Sequence, residues 1–153
     1  YLRNSSSPYA IVDSAKAYLS STGAGLFSFT NAINGVNYYL QVKHRNSLET
    51  WSKTTQTFVS DALAYNFTTA NTQAYGNNMI NVDASPLRYA DYSGDVNQNG
   101  ILELNDILSV YNAAVVFSSG YVVNDVNGDN ITDLNDILLA YNNSAAFVAV
   151  IRP

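Results

Sequence analysis

The sequence predicts a mainly β protein with a small α part. We expect a β-sandwich over residues 1–90, a pair of loop-and-helix units over residues 91–145 and a final strand over residues 146–153. Three observations support this: β-branched and aromatic residues alternate with polar ones over the first ninety residues, one 18-residue stretch occurs twice, and 47% of the residues are hydrophobic. A chain of 153 residues with that apolar content can build a packed core.

The first part of the chain has the pattern of short strands separated by turns. Alternation with a period of two residues places every second side chain on one face of a sheet. Glycines mark the clearest turns, at residues 22–25 and at Asn34-Gly35. Their spacing suits a small sandwich. The predicted strands are residues 9–13, 15–19, 26–30, 36–44, 56–60, 63–67 and 79–82.

The second part contains an internal repeat with a period of 30 residues. The chain reads DVNQNGILELNDILSVYN at residues 95–112 and DVNGDNITDLNDILLAYN at residues 125–142, with 11 of 18 positions identical. Each copy ends in apolar residues spaced i, i+3, i+4 and i+7, which form one face of a helix. These residues are Leu104, Ile107, Leu108 and Tyr111, then Leu134, Ile137, Leu138 and Tyr141. Loop and helix therefore repeat together as one unit.

Each copy opens with oxygen-bearing side chains at the spacing of an EF-hand calcium loop. Calcium takes six to eight oxygen ligands, and a twelve-residue loop supplies them from positions 1, 3, 5, 7, 9 and 12, position 7 through its carbonyl. The predicted ligands of the first loop are Asp95, Asn97, Asn99, Ile101, Glu103 and Asp106. Those of the second loop are Asp125, Asn127, Asp129, Ile131, Asp133 and Asp136. The spacing therefore predicts two bound calcium ions.

The two loops depart from the usual EF-hand pattern in two respects. Asn130 stands in the second loop where glycine is normal, and asparagine is the residue other than glycine that best tolerates a left-handed backbone. Position 12 is Asp in both loops, so the chain must approach the ion more closely than with Glu. The first loop has three acidic ligands and the second has four, so charge favours the second loop and geometry the first.

The residues before each loop are not helical in pattern, whereas an EF-hand has an entering helix. A duplicated calcium loop followed by an exiting helix, with Asp at position 12, resembles the dockerin domain of secreted cellulose-degrading complexes. The resemblance implies calcium binding. It does not imply binding of a cohesin, because residues 91–151 hold eight acidic residues and no Lys or Arg. Leu104-Asn105 and Leu134-Asn135 also occupy positions where type I dockerins usually have Ser or Thr.

The N-terminal part carries further resemblances. The stretch GLFSFTNAINGVNYYLQVKH is similar to transthyretin-like or collagen-adhesin B-type modules, which are far more often spacers than enzymes. The resemblance implies an immunoglobulin- or transthyretin-like β-sandwich. Together with the HRNSLETWS segment and the calcium repeat, this stretch resembles the C-terminal region of large secreted surface proteins of Bacteroidota-type bacteria. That resemblance implies an extracellular or bacterial cell-surface location.

Composition narrows the classes of function. The net charge of −5 argues against binding to nucleic acid or to anionic membranes, because both require basic patches. There is no cysteine for disulfides or zinc fingers, and no apolar run long enough to span a membrane. Eight of the twelve acidic residues lie in the repeat region, so their mutual repulsion should couple folding to calcium.

Other candidate sites are weaker. His44 is the only histidine, and without a second His or Cys we expect a structural hydrogen bond. Glu49 and Trp51 are expected to form a polar cluster with Lys43 and Arg45, with sugar stacking as the alternative role. No catalytic motif is present, and we expect that the chain is not an enzyme. Candidate glycosylation sites are Ser14 in a D-S-A motif and the sequon residues Asn4, Asn66 and Asn142.

These observations predict a calcium-stabilised structural or adhesive protein that self-associates into a surface fibre or layer. The N-terminal residues 1–13 have the pattern of a strand-forming segment, so exchange of this strand between copies is one expected route to a homo-oligomer or polymer. The alternative is an accessory module of a larger secreted protein that binds a protein or a glycan.

Overall fold

The computed structural model of the chain describes residues 1–153. It contains two antiparallel sheets and two helices, so the prediction of a mainly β chain with a small α part is confirmed. Seven strands lie in the first ninety residues and both helices lie after residue 100. No helix of the chain is long and apolar enough to cross a membrane.

The larger sheet has five strands and is built around β3 (Asn37–Val42). On one side, β3 pairs with β1 (Leu2–Asn4), which in turn pairs with β2 (Ile11–Asp13). On its other side, β3 pairs first with β4 (Thr50–Trp51) and then with β5 (Gln56–Thr57). All of these pairings are antiparallel.

A separate hairpin and three short 3-10 turns complete the N-terminal part. The hairpin consists of β6 (Ile80–Ala84) and β7 (Leu87–Ala90). The 3-10 turns cover Phe67–Thr69, Asn71–Gln73 and Tyr75–Asn77. They connect β5 to the hairpin without adding a strand to either sheet.

Aromatic side chains hold the larger sheet together. Tyr39 of β3 makes edge-to-face contacts with Tyr9, Trp51 and Tyr75, with ring centroids 5.8, 6.2 and 6.3 Å away. Such aromatic pairs stabilise a fold by about 0.5–1.5 kcal/mol beyond the area that they bury. The guanidinium of Arg3 lies 5.3 Å from the Trp51 ring. Tyr39, Tyr9 and Tyr75 therefore join β3 to the segments beside it by aromatic packing.

Three of the predicted strands do not form. Residues 15–19, 26–30 and 63–67 remain outside both sheets, although their side-chain pattern alternates. Alternation reports which faces of a strand differ, but a strand also needs a partner that supplies main-chain hydrogen bonds. The structure adds β4 and β7, which are short and were not predicted. β1 lies within residues 1–13, which were predicted to be strand-forming.

The C-terminal part consists of α1 (Leu104–Ala114) and α2 (Leu134–Ala145), which pack against each other. Their contact surrounds a small core of Val96, Val110, Val126 and Ala140. The burial pattern of residues 101–110 is identical, residue by residue, to that of residues 131–140. The repeat in sequence is therefore a repeat in packing.

The segments after the helices belong to the repeat as well. Thr132 donates its main-chain N–H to the carbonyl of Ser118, and Leu102 donates to Val148, the equivalent residue 30 positions later. Each post-helix segment thus pairs with the loop of the other copy, through the single bridges Ser119–Ile131 and Ile101–Ala149. Residues 146–153 were predicted as a strand and form only this one bridge, because the facing loop is extended for too few residues.

Candidate metal centre

The two loops, residues 95–106 and 125–136, adopt the same unusual backbone. Positions 4 and 6 are left-handed in both: Gln98 and Gly100 have φ of 58° and 86°, and Gly128 and Asn130 have φ of 84° and 72°. Left-handed residues at these positions curl the chain tightly, so that side chains at alternate positions point to the inside of the loop. The helix that follows each loop then fixes the position of its last carboxylate.

The carboxylate at position 1 is buried in both loops. In the second loop, Asp125 accepts main-chain hydrogen bonds from residues 128, 129 and 130, at 2.7, 3.1 and 3.1 Å. In the first loop, Oδ2 of Asp95 accepts from the Gly100 N–H at 3.1 Å, and its buried Oδ1 has no hydrogen-bond partner. A buried carboxylate oxygen without a partner is costly unless a cation lies beside it.

The pKa of Asp95 also indicates that its carboxylate is unfavourably placed without a cation. Burial raises the pKa of the Asp95 carboxyl, the N–H of Gly100 lowers it, and the charge of Asp106 raises it again, so that the pKa lies above its ordinary value. A bound cation relieves both the burial of the charge and the repulsion between the two carboxylates.

The carboxylate at position 12 ties each loop to its helix. Asp136 accepts from the main-chain N–H groups of Val126, Asn127 and Asp133 at 2.7, 3.0 and 2.8 Å. Asp106 makes the equivalent three bonds at 3.1, 3.3 and 3.1 Å. Both aspartates are buried and lie in the first turn of a helix, where the helix dipole favours a negative charge. Their position is therefore fixed before any ion binds.

Side chains at positions 3 and 5 shape the rest of each loop. Each of their Oδ1 atoms accepts from the main-chain N–H two residues further on, at 2.8–2.9 Å. Position 9 is the N-cap of the helix. The residues at positions 3, 5 and 9 are Asn97, Asn99 and Glu103 in the first loop, and Asn127, Asp129 and Asp133 in the second. All twelve predicted ligands therefore lie on the two matching loops.

The second loop brings three carboxylates together. Ligand oxygens of Asp125, Asp129 and Asp136 all lie within 4.8 Å of one another. The first loop has Asn99 in place of Asp129, so it has one charge fewer at this point. The carbonyl oxygens of Ile101 and Ile131, at position 7, accept no hydrogen bond from the protein. A set of donors made only of oxygen suits a hard divalent cation.

The structure also explains why glycine is needed at position 6 of only one loop. A Cβ on Gly100 would lie 2.9 Å from Cγ1 of Val150, which faces it across the bridge. The residue equivalent to Val150 in the other copy is Gly120, whose N–H donates to the carbonyl of Asn130 at 2.8 Å. Because Gly120 has no side chain, the second loop has room for Asn130. This pairing of small and large residues is visible in the sequence only when position 6 is read together with the segment after the helix.

A segment of the N-terminal part is attached to the second loop. Asn46 is buried, and its Nδ2 donates to the carbonyls of Val123 and Asp125 at 3.0 and 2.7 Å. Arg45 donates from Nε to the carbonyl of Val122 at 3.1 Å, and its Nη2 lies 3.4 Å from Oδ2 of Asp125. The sheet and the predicted metal loop are therefore joined at the first ligand of that loop.

The same segment is attached to the first loop. Gln98 donates from Nε2 to the carbonyls of Ser47 and Asp95, at 3.1 and 2.7 Å. The N–H of Gly94 donates to the carbonyl of Asn46. Residues 45–47, which we call the clasp, thus contact the start of both loops. The clasp was not predicted from the sequence, because nothing in the local pattern links residues about 50 and 80 positions apart.

The predicted polar cluster beside Trp51 forms with different members. Glu49 accepts from Trp51 Nε1 and Gln41 Nε2, both at 2.8 Å, and from Arg152, with Lys43 at 3.9 Å. Burial alone raises the pKa of Glu49, but the hydrogen bonds from Arg152 and Trp51 and the nearby positive charges outweigh it and lower the pKa below its ordinary value. Arg45, expected in this cluster, belongs to the clasp instead.

The remaining predicted sites lie on the surface. His44 is exposed and faces Arg45 Nη1 at 3.1 Å and Ser47 Oγ at 3.5 Å, in keeping with a structural role. The glycosylation candidates are all exposed: Ser14, Asn4, Asn66 and Asn142. Their modification stays a prediction.

Comparison of the chain with protein families, with curated proteins and with solved structures found no match.

Proposed function

We propose that the chain is an extracellular, calcium-stabilised structural or adhesive protein that holds one calcium ion in each loop. The observation that carries the proposal is the pair of matching loops with buried, preset carboxylates, one of which has an oxygen without a partner. The all-oxygen donor set favours calcium over zinc or copper, which prefer nitrogen and sulfur ligands. Within this proposal, residues 91–145 are a dockerin-like pair of calcium units.

The clasp supports a structural role for the ions. Because residues 45–47 contact Asp125 in the second loop and Gln98 in the first, ordering of the loops by calcium also orders the junction between sheet and helices. Calcium sites of extracellular modules are tuned to millimolar concentrations, which agrees with the proposed location. The identification of the N-terminal sheet with an immunoglobulin- or transthyretin-like sandwich stays a prediction.

Isothermal titration of the chelator-treated chain with calcium tests the proposal. We expect a stoichiometry of two ions per chain, and one ion per chain when only one loop carries a substitution at position 12. Magnesium is the matched control, because it demands six ligands in a tight octahedron and should bind much more weakly. Absence of calcium binding in the intact chain would overturn the proposal.

The alternative is an accessory module that binds a partner protein or a glycan. The exposed apolar side chains of both helices are the observation in its favour. A glycan array and a pull-down, each with calcium and with chelator, separate the two roles. Calcium-dependent capture by a monomeric chain would favour the alternative, whereas calcium-dependent self-association without capture supports the structural role.

A further inference from the structure

Residues 14–30, which we call the arm, connect β2 to the turn before β3 without joining any sheet. Residues 16–28 are exposed without interruption. The arm turns back on itself at residues 20–24, where the Ser20 N–H donates to the Ala24 carbonyl at 2.8 Å. Residues 15–19 and 25–29 make no main-chain hydrogen bond, whereas the Asp13 carboxylate accepts from the main chain of Thr30 and Asn31. The arm is therefore a hairpin-shaped excursion whose main chain is free to pair with another molecule.

The arm carries large apolar side chains to its surface. Tyr18 is 97% exposed and Leu26 is 87% exposed, with Leu19 and Phe27 beside them. Its tip faces Thr68 and Arg88 across an open cleft and makes no hydrogen bond to that side. Apolar side chains this exposed and this close together mark an interaction surface.

A separate apolar groove lies in the C-terminal part of the chain. It has a volume of about 500 Å³ and is formed by the end of the first loop, the start of α1 and the end of α2. Its apolar lining includes Ile101, Leu104, Ile107, Tyr141 and Phe147. Leu104 is 65% exposed and Phe147 is 92% exposed. The arm of the same chain contributes no residue to this groove.

Charge favours contact between the arm of one copy and the groove of another. The only charged residue of the arm is Lys16. The groove lies in residues 91–151, which hold eight acidic residues and no Lys or Arg, so this part of the chain stays negative even with the four positive charges of two calcium ions. Residues 1–90 hold six Lys and Arg against four Asp and Glu. Residues 1–90 of one copy and residues 91–151 of another therefore attract each other, whereas residues 91–151 of two copies repel.

We propose that the arm of one copy occupies this groove of a second copy, so that the chains associate head to tail. Such an interface joins two different surfaces, so each added copy still presents a free arm or a free groove and the assembly grows into a fibre unless it closes into a ring. The inference rests on the proposed calcium function, because Ile101 and Glu103 belong to the first loop and calcium would fix their position.

In this proposal the segment that passes to the neighbouring copy is the arm, residues 14–30, and not residues 1–13 as the sequence pattern predicted. Leu2 is buried, and β1 pairs with strands on both sides within its own sheet. Donation of β1 would break two existing pairings. Donation of the arm would break none.

Three double variants of the full chain test the interface in calcium, by light scattering after size-exclusion chromatography and by negative-stain electron microscopy. The arm variant is Tyr18→Ser with Leu26→Ser, and the groove variant is Leu104→Ser with Phe147→Ser. The control is Leu134→Ser with Phe117→Ser, the equivalent positions of the other copy of the repeat, which are 65% and 77% exposed. We expect the intact chain and the control to assemble, and the arm and groove variants to remain monomeric.

Mixing supplies the decisive result. The arm variant retains a groove and the groove variant retains an arm, so a mixture of the two should form a 1:1 dimer and no longer assembly. A fluorescent peptide of residues 14–30 should bind the arm variant and fail to bind the groove variant. The inference is overturned if the groove variant assembles like the intact chain, if the control fails equally, or if the mixture stays monomeric.

Calcium titration of every variant separates this inference from the proposed function. If the intact chain binds two ions and remains monomeric, only the head-to-tail interface is refuted. If it binds no calcium, the proposed function fails as well. Thermal melting in calcium shows that each variant is folded, which is expected because every substituted side chain is exposed.

Discussion

Asp136→Asn is the sharpest perturbation of the metal loops, because one carboxylate there serves both the fold and the proposed ion. Its two oxygens accept three main-chain hydrogen bonds at 2.7, 3.0 and 2.8 Å. Asparagine keeps the shape but replaces one oxygen with an NH₂ group that faces N–H donors. The substitution therefore removes at least one charge-assisted bond and leaves a buried donor unpaired.

The magnitude follows from those bonds. Loss of a buried hydrogen bond to a charged group costs about 2 kcal/mol, and for a chain of this size each kcal/mol lowers the melting temperature by about 2–4 °C. Without calcium, we expect the variant to melt about 4–8 °C below the intact chain. With free calcium at 100 times the dissociation constant, each site should add about 2.7 kcal/mol, so the intact chain should gain two such increments and the variant one.

Thermal melting followed by circular dichroism, with calcium and with chelator, measures both effects. Asp106→Asn is the mirror variant and should lose the increment of the first loop instead. Asp83→Asn is the control, because Asp83 is exposed at the hairpin turn. The reasoning is refuted if calcium leaves the melting temperature of the intact chain unchanged, or if Asp136→Asn keeps the full calcium response.

Three further predictions follow from the structure. Gly100→Asn should destabilise the chain by about 2 kcal/mol, because the new Cβ meets Val150, and adding Val150→Gly should restore most of the loss in a denaturant double-mutant cycle. Arg45→Met should lower stability by about 2 kcal/mol, because clasp hydrogen bonds are lost, yet tighten calcium binding at the second loop about fivefold, because a positive charge near the ion is removed. Calcium titration should show the higher affinity and thermal melting the lower stability. A change of both in the same direction would contradict the prediction. The pKa of Glu49 is lowered on folding, so the stability that its ionised form contributes is present above the ordinary pKa of 4.5 and is lost as pH falls through the folded pKa. The free energies of unfolding of the intact chain and Glu49→Gln, measured in chelator, should therefore differ by about 2 kcal/mol at neutral pH and converge below pH 4.5. A difference that persists in acid would contradict the prediction.

Local patterns predicted the repeat units well for a physical reason. A metal loop and the helix after it depend on residues within about twenty positions, so the spacing of Asp95, Asn97, Asn99 and Asp106 already specifies which side chains converge. The apolar period of the following helix and the carboxylate in its first turn are equally local. For the same reason, the left-handed conformation of Asn130 could be foreseen from residue type alone.

The strands of the N-terminal part were predicted less well. The alternating pattern at residues 26–30 is as good as that at residues 37–42, yet only the second pairs with other strands. A strand forms only when it pairs with another strand, which can be distant in the sequence. The local pattern of a segment does not show whether such a partner exists.

The sequence by itself determined the duplicated loops, the oxygen-bearing side chains that line them and the exiting helices, because these are set by short-range spacing. Only the tertiary structure decided that residues 45–47 contact both loops and that the absence of a side chain at Gly120 leaves space for Asn130. It also decided that the apolar groove and the unpaired arm are separate surfaces. Each of these features joins residues at least ten positions apart, and such contacts depend on how the whole chain packs rather than on the preference of any one segment.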